Sequence, residues 1–241
     1  MSNDFLNRIK IVLCRPEGGL NVGSVCRCMQ NMGLSRLALV GDISELNLEH
    51  VRHMAVHARE IFDRAERYDT LPPALEESVI AAGITRRRGS RRKYFSVLPE
   101  ELADRAAETA DGTIALVFGN EQNGLNEQEL AACTIACHIP TDPVNPSLNL
   151  SHAVQILTYV FYRRSEEKVG GYTPIPLKDV DDLADTINNT LEEIGYFDKA
   201  DRFDTRRYFR DILARASLST KESRHMVKVF QKIRFLKGGP L

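Results

Sequence analysis

The 241-residue chain has no apolar run approaching the roughly 18 residues that a membrane-spanning helix requires, so no span is expected. Residues 1–10 lack the apolar core of a secretory leader, and the expected location is the cytoplasm. Cysteine is scarce and odd in number: Cys14, Cys26, Cys28, Cys133 and Cys137, all set inside apolar runs. That placement argues against a disulfide framework and predicts buried free thiols in a reducing compartment. Paired Cys-x-x-Cys spacing is missing, and with it the common structural zinc site. His53 and His57 are four apart, but Met54 stands where a metalloprotease helix carries glutamate, so no metal is expected. Two phosphate-binding signatures also fail. The stretch from Gly18 to Gly23 departs from G-x-G-x-x-G at its third position, and Ser24 follows Gly23 where a P-loop needs lysine.

What remains is a globular chain, 43% apolar, with short unalternating apolar stretches separated by helical patterns. Strands are expected at Ile9–Cys14, Leu37–Val40, Val79–Ile84, Ile114–Phe118 and Thr134–Ile139. Helices are expected at Val22–Met32, Leu48–Ile61, Leu71–Glu77, Pro99–Thr109 and Leu148–Arg164. Strands of this kind belong to a parallel sheet with helices on both faces, an α/β fold. Residues 166–177, with Gly170, Gly171, Pro174 and Pro176, read as a linker. Three further helices follow, about Asp179–Ile194, Asp204–Ala216 and Thr220–Lys237, the last opened by a Ser219…Glu222 capping box.

The net charge of −1 hides an asymmetry. Residues 1–177 carry 19 basic and 22 acidic side chains, residues 178–198 one and seven, and residues 199–241 twelve and four. A basic C-terminal end suggests a polyanion partner. On the last helix Lys221, Arg224, His225, Lys228 and Lys232 share one face, opposite Met226, Phe230 and Ile233. A second basic group, Arg86, Arg87, Arg88, Arg91, Arg92 and Lys93, lies beyond the C-terminal end of an expected strand, the edge where open α/β sheets bind ligands. Tyr94 and Phe95, which follow, suit base stacking and packing equally.

Three segments at expected strand-to-helix edges carry candidate chemistry. In Asn21-Val22-Gly23-Ser24-Val25-Cys26-Arg27, one helical stripe holds Val22, Val25, Cys26, Met29 and Met32, and Arg27 points away from it, near a helix start whose free N–H groups suit an anion. In Phe118-Gly119-Asn120-Glu121-Gln122-Asn123-Gly124-Leu125, glycine after a buried strand permits close backbone approach, and Glu121 is either a loop tie or a base. In the stretch from His138 to Leu150, three prolines stiffen the loop and Ser147 is placed to cap the helix that follows.

Together these segments resemble the three motifs of the SPOUT-class RNA 2′-O-methyltransferases, the TrmH-like family. The first, N-x-G-[SA]-x-x-R, is matched by Asn21, Gly23, Ser24 and Arg27; the second, F-G-x-E-x-x-G-L, by Phe118, Gly119, Glu121, Gly124 and Leu125; the third, S-L-N-[LV]-[SA], by Ser147, Leu148, Asn149, Leu150 and Ser151. The resemblance covers about residues 8–165, and the linker and helical extension look like its TrmJ branch. It implies a SPOUT-type domain over 1–165 with a deep C-terminal trefoil knot, a linker at 166–177 and a small all-α, RNA-binding extension over 178–241. It implies S-adenosylmethionine as cofactor, held around Phe118, Gly119, Asn120, Gly124, Ile139, Pro140, Ser147, Leu148 and Asn149. It implies a homodimer acting on the ribose of the first anticodon-loop nucleotide of tRNA, cytidine or uridine, with rRNA as the alternative target. Arg27 would stand at the reacting ribose, sometimes across the dimer, supported by Asn21, Glu121, Ser147 and Asn149, with Ser24 among the RNA contacts. A guanidinium holds its proton too tightly to be a base by itself, so Arg27 is expected to clamp phosphate and ribose. A competing reading is an RNA-binding module without catalysis, which would keep both basic surfaces; another, a small-molecule nucleotide enzyme, would have no RNA affinity.

Overall fold

The computed structural model describes residues 3–86, 96–166, 173–197 and 202–236. After a short helix α1 (Asn3–Asn7), the chain alternates strand and helix: β1 (Ile9–Cys14), α2 (Gly19–Asn31), β2 (Arg36–Val40), α3 (Leu48–Ala55), α4 (Arg59–Asp63), β3 (Glu66–Tyr68), α5 (Leu71–Leu75) and β4 (Ser78–Ile84). It continues through β5 (Ser96–Val97), α6 (Pro99–Glu108), β6 (Thr113–Phe118), α7 (Glu127–Ala132), β7 (Ile135–Cys137) and α8 (Leu150–Ser165). Seven strands form one sheet, ordered β3-β2-β1-β6-β4-β7-β5, and every pairing is parallel. The central strands β1 and β6 are buried at every residue, as a sheet covered on both faces requires. Ile9, Ile11 and Leu13 enter a large core with α2, α3, α6 and α8, while Val12 and Cys14 enter a smaller one with α5 and α7. The expected α/β architecture is therefore present.

The differences have local causes. The single helix expected over Leu48–Ile61 is broken: α3 ends at Val56, whose φ is +52°, and a 3-10 turn (Val56–Ala58) leads into α4. The break sits where α3 meets α2, whose Gly19 and Gly23 allow backbones to touch; a Cβ at Gly23 would lie 2.4 Å from the Val51 carbonyl. Helix α2 also starts at Gly19, earlier than the apolar stripe indicates. Edge strands β3 and β5 are too short and polar to show a pattern, yet β3 supplies Glu66, which receives the buried Lys10 ammonium at 3.2 Å and the Tyr68 hydroxyl at 2.7 Å.

All five cysteines are free; four are buried and Cys28 is half-buried. Burial pushes the Cys26 and Cys137 thiols up to about 12, and raises Cys14 and Cys28 as well. The thiolate is the reactive form. Native protein treated with iodoacetamide near pH 8 is therefore expected to resist alkylation, with Cys28 the first to react and all five labelled only after denaturation, as mass spectrometry would show.

Three helices close the chain, α9 (Leu177–Glu193), α10 (Arg202–Ala216) and α11 (Thr220–Leu236). They pack around Ile175, Val180, Leu183, Ile187 and Leu213, while Leu177 joins the smaller core under the sheet. The acids of α9 meet the arginines that follow in a ladder: Arg210 with Asp181, Arg206 with Asp185, Arg202 with Glu192, and Arg234 with Glu193. Hydrogen bonds from Arg206 hold the Asp185 carboxyl below its ordinary range. Its contribution is thus present at neutral pH and lost as pH falls through that lowered range. Arg210 also donates to the carbonyls of Ala131 and Ala132 at the end of α7, tying the bundle to the sheet domain. The Ser219–Glu222 capping box is formed.

Candidate functional site

The loops after β1, β6 and β7 meet at the C-terminal edge of the sheet, with Thr85 and Arg86, the first residues after β4, beside them. After β1, Arg15 adopts a left-handed conformation (φ +53°) and the chain turns into α2 at Gly18. After β6, the backbone folds onto itself: an Asn120–Gly124 bridge closes the loop, and the Asn123 N–H donates to Asn120 Oδ1 at 2.8 Å. Gly119 has no room for a side chain, since a Cβ would lie 1.9 Å from the Gly124 carbonyl carbon. Its absence of Cβ is what lets residues 119–125 form this tight hook.

Glu121 ties the hook to α2. Its Oε1 accepts from the Gly18 N–H at 3.1 Å and Asn21 Nδ2 at 2.9 Å, and its Oε2 accepts from the Glu17 N–H at 3.1 Å. A carboxylate against free N–H groups at a helix start is a favourable arrangement. The anion suited to this helix start is the chain's own Glu121. Asn21, in the first turn of α2, then accepts from Asn149 Nδ2 at 2.9 Å, and Asn149 Oδ1 accepts from the Ser151 N–H at 2.8 Å. Glu121 can only accept and the Ser151 N–H can only donate, so both ends fix the direction of the chain. Residues 100 and 128 positions apart in sequence, one from each motif, are thereby joined in a single line.

Asn149, not Ser147, caps α8. The expected cap is corrected because the chain stays extended through Asn149 and the helix starts at Leu150; Ser147 is left exposed at the cleft. Asn149 therefore has two jobs that substitution can separate. Asn149→Ala is expected to cost about 1 kcal/mol, the worth of a cap, seen as a lower thermal midpoint. Asn149→Asp keeps the cap but turns an acceptor towards Asn21 Oδ1; it should cost about 1 kcal/mol, the worth of the one hydrogen bond lost, yet lose much more of its activity than Asn149→Ala.

A cleft of about 140 Å³ opens beside this line. Its lining is apolar at Ile84, Phe118, Leu125, Ile139, Leu148 and Leu150 and polar at Thr85, Asn120 and Glu121, with the exposed Arg86, Gln122, Asn123 and Ser147 at its rim. Of the residues expected around a cofactor, Phe118, Gly119, Asn120, Gly124, Ile139, Ser147 and Leu148 line it; Pro140 and Asn149 do not. Arg86 is exposed at the rim, whereas Arg87, Arg88, Arg91, Arg92 and Lys93, with Tyr94 and Phe95, lie outside the described residues. Arg27 is exposed on the third turn of α2 and is not part of the cleft lining. Ser24 donates its hydroxyl to the Leu20 carbonyl. On α11, Lys221, Arg224, His225, Lys228 and Lys232 are all exposed, and Met226 and Phe230 pack inward as expected.

Three participants escaped the sequence reading. Arg15 grips Glu129 with two hydrogen bonds of 2.7 and 2.8 Å and donates a third, at 3.1 Å, to the Gly124 carbonyl; the bonds to Glu129 raise its guanidinium above the ordinary arginine value. Glu17 accepts from Asn120 Nδ2 at 2.6 Å. Only the Asn126-x-x-Glu129 capping box was legible as a signal, and it marks a helix start, not a site. A larger cavity, about 660 Å³, lies between α5, α7, α9 and α10; of its three arginines, Arg206 and Arg210 are already paired with aspartates. Among the described residues no group of histidine, cysteine or acidic side chains is arranged to hold a metal, and no helix is long and apolar enough to cross a membrane.

A sequence profile of the SpoU rRNA methylase family matches residues 8–159. A tRNA (cytidine-2'-O-)-methyltransferase TrmJ of Methanocaldococcus jannaschii is 40% identical over 158 residues, 65% of this chain and 68% of that protein. A tRNA (cytidine/uridine-2'-O-)-methyltransferase TrmJ of Pectobacterium atrosepticum is 33% identical over 229 residues, 90% of this chain and 93% of that one. Among solved structures, that of TrmJ from Z. mobilis superposes with a TM-score of 0.75 at 26% identity, covering 93% and 98% of the two chains.

Proposed function

The chain belongs to the SpoU rRNA methylase family, and from that premise we propose that it transfers a methyl group from S-adenosylmethionine to the ribose 2′-hydroxyl of a cytidine or uridine in tRNA, at the first anticodon-loop nucleotide. The observation that carries this reading is the hydrogen-bonded line Glu121–Asn21–Asn149, which joins the three motif segments beside one cleft. That cleft suits a cofactor with an adenine, a ribose and an amino-acid tail: an apolar lining for the ring and amide and hydroxyl groups at the rim. Phe118, Gly119, Ile139 and Leu148 would hold it. When bound, S-adenosylmethionine supplies a methyl carbon made electrophilic by its sulfonium.

The protein's own part is positioning and charge. Arg27 clamps the phosphate and ribose of the target nucleotide and stabilises the oxygen as it loses its proton to the neighbouring RNA phosphate. Asn21 and Asn149 hold the α2 and α8 ends in register, and Ser147 faces the ribose. Glu121 acts as a tie, since both its oxygens already accept hydrogen bonds. Arg27 is exposed and outside the cleft lining, which supports a homodimer in which it completes the partner's site. The remaining architecture of the proposal is a methyltransferase domain over 1–165 with a trefoil knot at the cleft loops, a connection over 166–177, and a helical RNA-binding extension over 178–241. The basic face of α11 and Arg86 at the rim support RNA contact, and a cytoplasmic location is part of the same proposal.

Incubation with methyl-labelled cofactor and either tRNA transcripts or rRNA fragments, followed by mapping of alkali-resistant ribose positions, tests it. Label at one anticodon-loop ribose of tRNA is expected. Label confined to rRNA would overturn the substrate, and tight tRNA binding without any cofactor binding would overturn the activity.

A further inference from the structure

The hook formed by residues 119–125 is one wall of the cleft, yet nothing inside it fixes its height above the sheet. Its internal bonds run from Asn120 to Asn123 and to Gly124, and would survive if the hook tilted as a unit. Glu121 fixes its α2 side. A separate tie comes from Arg15, which reaches from the end of β1 to the Gly124 carbonyl, one of the groups that exclude a side chain at Gly119.

We propose that Arg15 and Glu129 are positioning residues for cofactor binding: the pair sets the Gly124 carbonyl, and through it the wall of the cleft. This rests on the S-adenosylmethionine reading above. Three features support it. First, the Arg15–Glu129 contact is a two-bond fork with Glu129 almost fully buried, the geometry in which a guanidinium holds position best. Second, Glu129 is fixed independently, because its Oε2 also accepts from the Asn126 N–H at 2.8 Å in the α7 capping box. Third, Arg15 holds a left-handed backbone conformation that non-glycine residues seldom adopt. That backbone is secured by its N–H donating to the Val40 carbonyl at 2.7 Å, and its stem lies where a Cβ on Gly41 would meet it at 2.9 Å. The strained turn is what aims the guanidinium across the sheet edge at the hook. Lysine, whose three donors all sit on one nitrogen, lacks the planar fork that matches both carboxylate oxygens while reaching the carbonyl.

The test is calorimetric titration of S-adenosylmethionine into the full chain and its Arg15→Ala, Arg15→Lys and Glu129→Gln variants, with tRNA affinity, thermal midpoint and kcat and KM measured beside it. Arg15→Ala is expected to weaken cofactor binding about tenfold, with Arg15→Lys between it and wild type and Glu129→Gln similar, tRNA affinity unchanged, and the loss falling on the KM for cofactor more than on kcat. Combining Arg15→Ala with Glu129→Gln should weaken binding no further than the single changes, as expected of one coupled unit. Should Arg15→Ala fail to fold, the nearly isosteric Glu129→Gln decides. Unchanged cofactor affinity in folded variants overturns the proposal, as does a parallel fall of tRNA affinity and thermal midpoint, which marks general destabilisation. A wild-type chain that binds no S-adenosylmethionine at all overturns the underlying reading, and the two failures are thereby distinguished.

Discussion

Arg27→Ala should lose about 10²- to 10³-fold in methyl transfer to tRNA, the scale set by removing one donor that stabilises a developing oxyanion. The protein should otherwise be almost unaltered. Arg27 is exposed, the buried stripe of α2 runs along the opposite side through Val22, Val25, Cys26 and Met29, and exposed substitutions away from special contacts change stability by about 0.5 kcal/mol or less. Single-turnover methylation, cofactor titration and thermal unfolding measured on one preparation check the claim. The expected combination is a large loss of rate with cofactor affinity and thermal midpoint retained. Arg27→Lys should recover little, since an ammonium cannot bridge phosphate and ribose as a planar fork does. An equally active Arg27→Ala variant would remove the residue from the chemistry altogether.

Gly119→Ala should be the more destructive change. Its new methyl group would lie 1.9 Å from the Gly124 carbonyl carbon and 2.1 Å from the Leu125 nitrogen, both backbone atoms that no rotamer change can move. The hook must open, breaking the Asn120–Gly124 bridge and displacing Glu121, and with it the end of the line to Asn21 and Asn149. Overpacking of this kind costs about 1–3 kcal/mol or more, and cofactor binding should be undetectable at concentrations that saturate wild type. Gly124→Ala is the control. Its Cβ would meet nothing within 4 Å, but φ there is +68°, so the penalty is conformational, about 1–2 kcal/mol, and binding should be weakened but measurable. Calorimetry on the two variants separates steric from conformational demand; equal effects would contradict this account.

Much of this was legible in the chain and some was not, for definite reasons. Long, fully buried strands such as β1 and β6 declare themselves through continuous apolar runs, and α2 through its stripe. β3 and β5, of three and two residues, have no room for a pattern, and Leu48–Ile61 looks unbroken because a residue's φ is not written in hydropathy. The motif residues were readable as types at spacings, but not their partners. Asn21 and Glu121 are 100 residues apart, Asn149 and Asn21 are 128 apart, and no local period reports such contacts. Arg15 and Glu129 are the extreme case: each looks like an ordinary surface charge until the fold brings them together. The cap at Asn149 shows a smaller failure, in which two good capping residues stood close together and the backbone chose the second.

The ion-pair ladder between α9 and the helices after it bears on how the chain meets RNA. Twelve basic residues follow position 198, but Arg202, Arg206, Arg210 and Arg234 already face carboxylates from the same chain. Those aspartates and glutamates behave as tethered counterions, which cannot be released into solution when a polyanion arrives. The salt dependence of binding, set by the number of phosphates that displace free ions, should therefore follow the exposed Lys221, Arg224, Lys228 and Lys232 and Arg86 at the cleft, and fall well short of the formal count of lysine and arginine.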